Sequence, residues 1–360
     1  MAKSRIILVG GFLGAGKTTL LARAAALLID QGYRVGLVTN DQGSNLVDTA
    51  FLSQEQMSVG EVSGSCFCCA FPDLIRVLSG LQEDSHPDII LAEPVGSCTD
   101  LAATVLRPLM AYFPGQFEVA PLSVVVDATR EIGALSANVA YLLDRQLAEA
   151  EIILLNKADL LEADALAAQQ AALRFAYPAA HLMTLSARTG DGIAEWLDLV
   201  LGQLPANPRT MDVDYTRYAE AEAELAWLNL VGEIRASAPF SARAWTAGLL
   251  ENLAAGLGLA RIAHLKAFVR ASGTDFKVSL VQNEAPLSWD PAETGDTPVE
   301  NLSFILNARV SAPPADLRQS ALASIENPRP DPMARYYLTH LECFSPAPPR
   351  PTHQLRGKIG

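Results

Sequence analysis

The stretch GFLGAGKTT, Gly11 to Thr19, has the form G-x-x-x-x-G-K-T and stands between an apolar run and a helical pattern. The run before it, RIILVG, is rich in Ile, Leu and Val and predicts a strand that is buried on both faces. A strand, a glycine-rich loop and a helix in this order form the context in which backbone N–H groups surround phosphates. We therefore predict a P-loop (Walker A) at the start of an α/β domain with a mostly parallel sheet.

The residues of this loop have separate expected roles. Lys17 would reach the terminal phosphates of a nucleotide, and the Thr18 hydroxyl would bind Mg²⁺. The N-terminus of the following helix adds positive potential for the phosphates. The expected phosphate-binding residues are Gly11, Gly14, Ala15, Gly16, Lys17, Thr18 and Thr19. The alternative, a chance glycine-rich turn, leaves the strand, the lysine, the threonine and the helix unexplained together.

A second motif concerns the base. LLNKADL ends a predicted strand and contains N-K-x-D at Asn156, Lys157 and Asp159. The Asp159 carboxylate can accept hydrogen bonds from the ring N–H and the amine of guanine, and adenine offers no such pair of donors. LSARTG follows the next strand and would bring Ser186 and Ala187 to the guanine oxygen. We therefore expect GTP and GDP as ligands, the alternative being a solvated loop with ordinary charges.

An acidic residue completes the expected nucleotide site. Glu93, in DIILAEPVG, lies at the C-terminal end of a predicted strand, where parallel α/β sheets bind their ligands. Glu93 would support Mg²⁺ through water or position an attacking water. The alternative is a solvated acid at a strand end.

Length and composition restrict the rest of the interpretation. A chain of 360 residues suits two domains. From Arg5 to about Pro205, short apolar runs alternate with helical stretches, and after a Pro-rich break the strands become longer and more alternating. We expect a P-loop domain over 1–205, a linker over 206–224, a smaller α+β domain with an antiparallel sheet over 225–345 and a Pro-rich disordered tail over 346–360.

Charge argues against two classes of partner. The chain has 40 acidic and 27 basic residues, a net charge of -13, whereas nucleic acids and anionic membranes attract clustered Lys and Arg. No apolar stretch approaches the ~20 residues that cross a bilayer, and the opening MAKSRIILVGG predicts a first strand and not a signal peptide. We expect a cytoplasmic protein, in which thiols stay reduced.

Three of the five cysteines lie within GSCFCC, as Cys66, Cys68 and Cys69. Thiolates suit zinc and similar transition metals, and a site with three protein ligands leaves a position open for exchange, as a carrier needs. An extended segment would point the side chains to opposite faces, so a turn is required. A disulfide between Cys68 and Cys69 is disfavoured because their side chains diverge. The alternative is that all three are small buried apolar residues.

Two weaker candidates remain. Cys98, in EPVGSCTDL, follows Glu93 and would add a fourth thiolate in one nucleotide state; ordinary loop packing is the alternative. His340 and Cys343, in YLTHLEC, are three residues apart on a predicted helix and form a candidate ligand pair, for which a core or surface role is favoured because no further ligands are near in sequence.

The motifs GFLGAGKTTLL, TNDQG, GSCFCC, LAEPVG and LNKADL, in this order, resemble the CobW-like metal-chaperone GTPases, relatives of the urease, hydrogenase and methylmalonyl-CoA mutase accessory GTPases. The resemblance covers the first domain throughout and the second only in pattern. It implies a GTPase that uses Mg²⁺ and delivers zinc, or alternatively cobalt, to an unidentified client protein or cofactor pathway. A homodimer is left open.

The resemblance also assigns residues by position. It implies that Asn40, Asp41, Gly43 and Asp48 form a first nucleotide-sensing segment, and that Glu93 and Gly96 belong to a second. Asp41 thereby joins Lys17, Thr18 and Glu93 as an expected catalytic residue, and the three neighbouring cysteines become the metal motif.

Departures from the family pattern leave the metal and the client open. Gln42 stands where Phe is usual, and Pro94 and Val95 replace a common Thr or Ser pair. Two further functions stay under consideration, an insertase dedicated to one metalloenzyme or cobalamin-related client and a low-turnover, metal-dependent GTP sensor.

Overall fold

The computed structural model describes residues 3–41, 57–130, 135–272, 274–281, 287–291 and 296–357. The chain forms two compact units. The first unit contains the described residues up to Ala219 and those from Pro348 onward, and the second unit contains those between Glu220 and Ala347. The expected residues Gly43 and Asp48 lie outside the described residues, as does the side chain of Asp41.

The first unit alternates strands and helices. Its strands are β1 (Ser4–Gly11), β2 (Val35–Asp41), β3 (Ser58–Ser63), β4 (Ile89–Glu93), β5 (Phe117–Val119), β6 (Ser123–Asp127), β7 (Ile152–Asn156) and β8 (His181–Thr184). Its helices are α1 (Lys17–Asp30), α2 (Phe71–Asp84), α3 (Arg107–Tyr112, preceded by a π-helical turn at Ala102–Leu106), α4 (Ala137–Glu149), α5 (Ala163–Ala176) and α6 (Ile193–Asp198, followed by a π-helical turn at Leu199–Gln203). A short 3-10 turn covers Ala158–Leu160.

These strands form one parallel sheet in the order β3-β2-β4-β1-β6-β7-β8, with β5 beside β1. β4, β6 and β7 are buried along their whole length, as continuous apolar runs predict. Because all strands run the same way, their C-terminal ends meet at one edge, which carries the loops after β1, β2, β4, β6 and β7. The predicted P-loop fold with a mostly parallel sheet is therefore confirmed.

The second unit is an antiparallel sheet with two helices. It contains β9 (Ala226–Phe240), α8 (Ala242–Leu257), β10 (Ile262–Ala271), β11 (Thr274–Val281), β12 (Ser288–Asp290), β13 (Val299–Val310), α9 (Pro314–Glu326) and β14 (Arg335–Phe344), and α7 (Tyr215–Ala223) leads into it. The sheet order is β12-β11-β10-β13-β9-β14. Apolar side chains of both helices and of the central strands share one buried core. The predicted α+β architecture of this part is confirmed.

The helix predicted around His340 and Cys343 is wrong. The segment around His340 and Cys343 is strand β14, paired with β9, and not a helix. Its tyrosines, threonine and phenylalanine favour a pleated surface, and residues three apart on a strand face opposite sides. His340 approaches Glu342 at 3.4 Å while Cys343 donates to the Pro314 carbonyl, so the two do not form a ligand pair.

The tail also differs from the expectation of disorder. Residues from Pro348 onward belong to the first unit, and Thr352 and Leu355 donate backbone hydrogen bonds to Cys68 and Ala103. Prolines that prevent helix and strand pairing do not prevent an extended segment from bonding to other loops. Within the described ranges, no helix has the length and apolar character needed to span a membrane.

Candidate nucleotide and metal sites

The loop between β1 and α1 has the backbone that its glycines require. Gly11, Gly14 and Gly16 have φ values of 132°, 77° and 96°, a region that other residues avoid. A Cβ atom at Gly16 would lie 2.4 Å from the Asn156 side-chain nitrogen, and one at Gly11 would lie 2.4 Å from the Val125 carbonyl oxygen. These two glycines are therefore needed for close packing as well as for backbone conformation.

Lys17 and Thr18, in the first turn of α1, lie beside Glu93 at the end of β4. The Thr18 hydroxyl donates to Glu93 Oε1 at 3.1 Å, and Lys17 Nζ is 3.9 Å from the same oxygen. Lys17 also donates to the Gly11 carbonyl at 2.9 Å, which holds its ammonium at the mouth of the loop. All three side chains are buried. A hydroxyl and a carboxylate oxygen at this distance match the oxygen ligands that Mg²⁺ prefers.

Gly96 gives the second sensing segment close access to the loop. A Cβ at Gly96 would lie 2.7 Å from Leu13 Cδ2 and 3.1 Å from Lys17 Nζ. The segment after Glu93 therefore packs directly on the phosphate-binding loop, and a side chain at this position would displace it.

At the end of β7, Asn156 joins the phosphate loop to the expected base site. Its amide donates to the Ala15 carbonyl at 2.7 Å and accepts from the Ala187 N–H at 2.8 Å. The Asp159 carboxylate is paired with Arg188 at 2.7 Å. Ser186 is buried and accepts from the Thr189 N–H at 3.2 Å. The residues predicted to contact guanine are thus gathered in two adjacent loops.

Asp127 and Arg130 hold this region in place through contacts with Lys157 and with the phosphate loop. Lys157, at a positive φ of 64°, forms an ion pair of 2.5 Å with the buried Asp127. Burial pushes the pKa of Asp127 upward, but the charge and hydrogen bond of Lys157 outweigh it, so the pKa lies below its ordinary value. Arg130 donates to the Leu13 carbonyl at 2.6 Å and its guanidinium lies over the Phe12 ring.

Sequence reasoning missed Asp127 and Arg130. Both occur in VVVDATR at the end of a predicted strand, so the rule that drew attention to Glu93 could also have found Asp127. Nothing in the sequence pairs Arg130 with Leu13, because the two are 117 residues apart.

Asn40, at the end of β2, fixes the loop that leads to the cysteines. Its amide nitrogen donates to the carbonyls of Val62 and Ser65 at 2.8 and 2.7 Å, and its oxygen accepts from the Phe67 N–H at 2.8 Å. The expected sensing residue therefore also shapes the cysteine loop.

A turn brings the three neighbouring cysteines together. The Cys66 carbonyl accepts from the N–H groups of Cys69 and Ala70 at 3.0 and 2.9 Å, and α2 follows directly. The three sulfur atoms lie within 4.8 Å of one another, with Cys66 and Cys68 buried and Cys69 half-buried. With zinc–sulfur bonds of about 2.3 Å, one ion can contact three sulfurs at such separations. The donor set therefore fits a single soft metal ion.

The thiols of the cluster differ in their affinity for protons. The pKa of Cys66 lies well below its ordinary value, chiefly because the Cys68 thiol hydrogen-bonds to its sulfur, with contributions from Cys69 and Cys98. The hydrogen bond to Cys66 raises the pKa of Cys68 and raises that of Cys69 to about 11. Because a cysteine binds a metal as the thiolate, metal entry at this cluster would release protons.

Cys98 is buried in the loop after Glu93. Its hydrogen bonding contributes to the pKa shifts of both Cys66 and Cys68, although it is not one of the three sulfurs that lie within 4.8 Å of one another. Gln146 donates to the carbonyls of Gly96 and Cys98 at 3.0 and 2.8 Å and so fixes this loop. The loop therefore connects the Glu93 end of β4 with the cysteine cluster.

Comparison with known proteins agrees with this arrangement. The family described as "CobW/HypB/UreG, nucleotide-binding domain" matches residues 5–182. The chain is 30% identical over 214 residues to a zinc chaperone CobW of Pseudomonas aeruginosa, covering 50% of this chain and 56% of that protein. It is 31% identical over 119 residues to the urease accessory protein UreG of Ureaplasma parvum, covering 31% of this chain and 58% of that protein. The chain thus spans little more than half the length of these curated relatives.

Among solved structures, the Zn(II)-bound YjiA GTPase from E. coli is similar with a TM-score of 0.40 and 16% identity, covering 91% of this chain and 100% of that one. The family match includes the phosphate loop, Glu93, the cysteine cluster and the N-K-x-D motif. Over residues 5–182, the chain belongs to the CobW/HypB/UreG family of nucleotide-binding domains.

Proposed function

We propose that this protein is a GTP-hydrolysing metallochaperone that carries zinc, with cobalt as the alternative, and passes it to a client metalloprotein or cofactor pathway. The observation that carries the proposal is the segment from Glu93 to Cys98. At one end it contacts Lys17 and Thr18, and at the other it contributes Cys98 to the surroundings of Cys66 and Cys68.

In the proposed reaction, a water attacks the γ-phosphorus of GTP, the bond to the β–γ bridging oxygen breaks, and GDP and phosphate leave. Lys17 neutralises charge that develops on the phosphates, and the backbone N–H groups of the loop hold them in line. Thr18 and Glu93 are the residues that would hold Mg²⁺, which would supply positive charge to the phosphates. Asp159 would select guanine once it exchanges Arg188 for the base.

The same residues suggest how hydrolysis is coupled to the metal. Loss of the γ-phosphate removes the negative charge that Lys17 and the Glu93 end of β4 would contact, so the segment from Glu93 to Cys98 can shift relative to the cysteine turn. Such a shift changes how well the sulfurs fit the ion. By linkage, if GTP increases metal affinity, the metal increases GTP affinity by the same factor.

Two titrations test the proposal. Zinc affinity is measured with the protein bound to a non-hydrolysable GTP analogue and to GDP, and we expect at least about a fivefold difference, the lower end of ordinary coupling.

Lys17→Ala should abolish GTP turnover, and a Cys66, Cys68 and Cys69 triple serine variant should lose zinc while it still binds GTP. Undiminished turnover by Lys17→Ala would refute the phosphate assignment, and equal zinc affinities in the two nucleotide forms would refute the coupling.

We assign both chemistries to the first domain, over 1–205, and client docking to the second, over 225–345. Sedimentation with GTP and zinc would distinguish a monomer from the homodimer that the family resemblance leaves open.

A further inference from the structure

The chain returns to the cysteine cluster after the second unit. Residues 348–357, named here the C-terminal strap, have neither helix nor strand structure and belong to the first unit. The Arg350 N–H donates to Cys69 Sγ at 3.0 Å. The Thr352 N–H donates to the Cys68 carbonyl at 2.9 Å, and the Thr352 hydroxyl donates to the Cys69 carbonyl at 3.0 Å. Three hydrogen bonds thus join the strap to two consecutive residues of the metal motif.

The other end of the strap is fixed to the loop that contains Cys98. Arg356 forms an ion pair of 2.6 Å with the buried Asp100, whose carboxylate also accepts from the Tyr215 hydroxyl at 2.7 Å. The Leu355 N–H donates to the Ala103 carbonyl at 2.8 Å. A guanidinium bound to a buried carboxylate is a strong and directional contact.

Between these anchors the strap contacts aromatic rings. The His353 ring packs edge-on against Phe71, at the first residue of α2, with centroids 5.0 Å apart, and lies 5.2 Å from the Tyr112 ring. The strap therefore extends from the exposed side of Cys69 to the end of the Glu93–Asp100 segment. It contacts both parts of the chain whose relative movement would change the metal site.

We propose that the C-terminal strap is a latch that retains the metal at the cysteine cluster. The ion pair between Arg356 and Asp100 holds the strap in place. The strap is released before the metal is transferred to the client. This inference rests on the proposed metallochaperone function. Cys69 is the most exposed of the three sulfurs, and a sulfur held by a backbone N–H is constrained in position and less available to an incoming ligand. Because Asp100 follows Glu93 and Cys98, a movement of that segment would act on the latch and on the ligands together.

The test measures how fast the zinc-loaded, full-length protein gives up zinc to a chromogenic chelator. Arg350→Pro removes the N–H that Cys69 accepts, while Arg350→Ala keeps it and serves as the matched control. Thr352→Val removes the hydroxyl bond, while Thr352→Ser keeps it. Arg356→Ala removes the ion pair with Asp100. We expect release about fivefold faster for each lost hydrogen bond and faster still for Arg356→Ala, with both controls at the wild-type rate.

A second measurement follows alkylation of Cys69 in the metal-free protein by peptide mass spectrometry, and we expect Arg350→Pro to accelerate it. A chain ending at Ala347 gives the upper limit for both rates, and its melting temperature shows whether it is folded. Zinc bound by the wild type but released at one rate by all variants would overturn the latch and leave the proposed function intact. A wild type that binds no zinc would overturn both.

Discussion

At the scale of single residues, two asparagines join parts of the site that are far apart in sequence. Asn40 binds the loop before the cysteines through three hydrogen bonds, and Asn156 binds Ala15 of the phosphate loop and Ala187 of the neighbouring loop. Both are buried, so each bond that is lost leaves a partner without water to replace it. Their amides supply a donor and an acceptor at once, which no other small side chain of that shape does.

Asn156→Ala should therefore weaken both stability and nucleotide binding. The Ala15 carbonyl and the Ala187 N–H would lose their partner, at a combined cost of about 2–4 kcal/mol in the free energy of unfolding. GTP affinity should fall because the phosphate loop and the loop with Ala187, expected to contact guanine, are no longer held together. Urea denaturation and a fluorescent GTP analogue measure the two effects.

The matched control is Asn327→Ala, at an exposed asparagine after α9, which should change neither quantity. An Asn156→Ala protein with wild-type stability and affinity would contradict the role given to this residue.

At the scale of elements, the last residue of α4 is a buried glutamate that contacts the N-terminus of the next helical segment. Glu149, its last residue, accepts from the Ala102 N–H at 2.9 Å, where the π-helical turn before α3 begins. Burial raises the pKa of Glu149 to about 8 from an ordinary 4.5, with the backbone hydrogen bond opposing the shift and the charge of Asp100 adding to it. The helix N-terminus accommodates the carboxyl group, but its ionisation in this position is costly.

The raised pKa of Glu149 makes the folded protein less stable as the pH rises. The folded protein holds the Glu149 proton more tightly than the unfolded chain, so the free energy of unfolding falls as the pH rises from about 4.5 to about 8. Below and above that window this residue contributes no slope. Glu149→Gln removes the contribution, so the variant should gain up to about 4 kcal/mol relative to wild type between pH 5 and pH 8.5.

Urea denaturation at the two pH values measures that difference. Glu195→Gln, at an exposed glutamate of α6, is the control and should run parallel to wild type. A Glu149→Gln variant that runs parallel as well would show that the carboxyl group does not hold its proton in the folded state.

The sequence predicts those features that depend on neighbouring residues better than those that join residues far apart in the chain. The phosphate loop, β1, α1 and the N-K-x-D loop follow from local spacing, because glycine conformation, strand burial and helix propensity are properties of neighbouring residues. The ion pair of Lys157 with Asp127 and the contact of Arg130 with Leu13 depend on how strands are ordered in the sheet, which spacing does not encode. β14 is a strand and not the predicted helix because its aromatic and β-branched residues favour a pleated surface and it pairs with β9.

At the scale of the whole molecule, the two units have separate hydrophobic interiors and should respond differently to ligands. Calorimetry should resolve two unfolding transitions, since large two-domain proteins often depart from two-state behaviour. A GTP analogue with Mg²⁺ should stabilise the transition of the first unit alone, by about 2.7 kcal/mol at a hundredfold excess over Kd.

Lys17→Ala should cancel that stabilisation, because this residue belongs to the phosphate loop. If nucleotide moves both transitions equally, or if a single transition is seen, the two units do not unfold independently.

The position of the C-terminal strap in the sequence has a consequence for biosynthesis. A ribosome makes Cys66, Cys68 and Cys69 early and residues 348–357 only after the whole second unit. The N-terminal domain begins to fold while the rest is still being translated, so the nascent chain displays its thiols without the segment that later contacts Cys69. If the proposed function holds, a metal ion captured during translation would be held without the strap, and retention by the strap would begin only after residues 348–357 have left the ribosome.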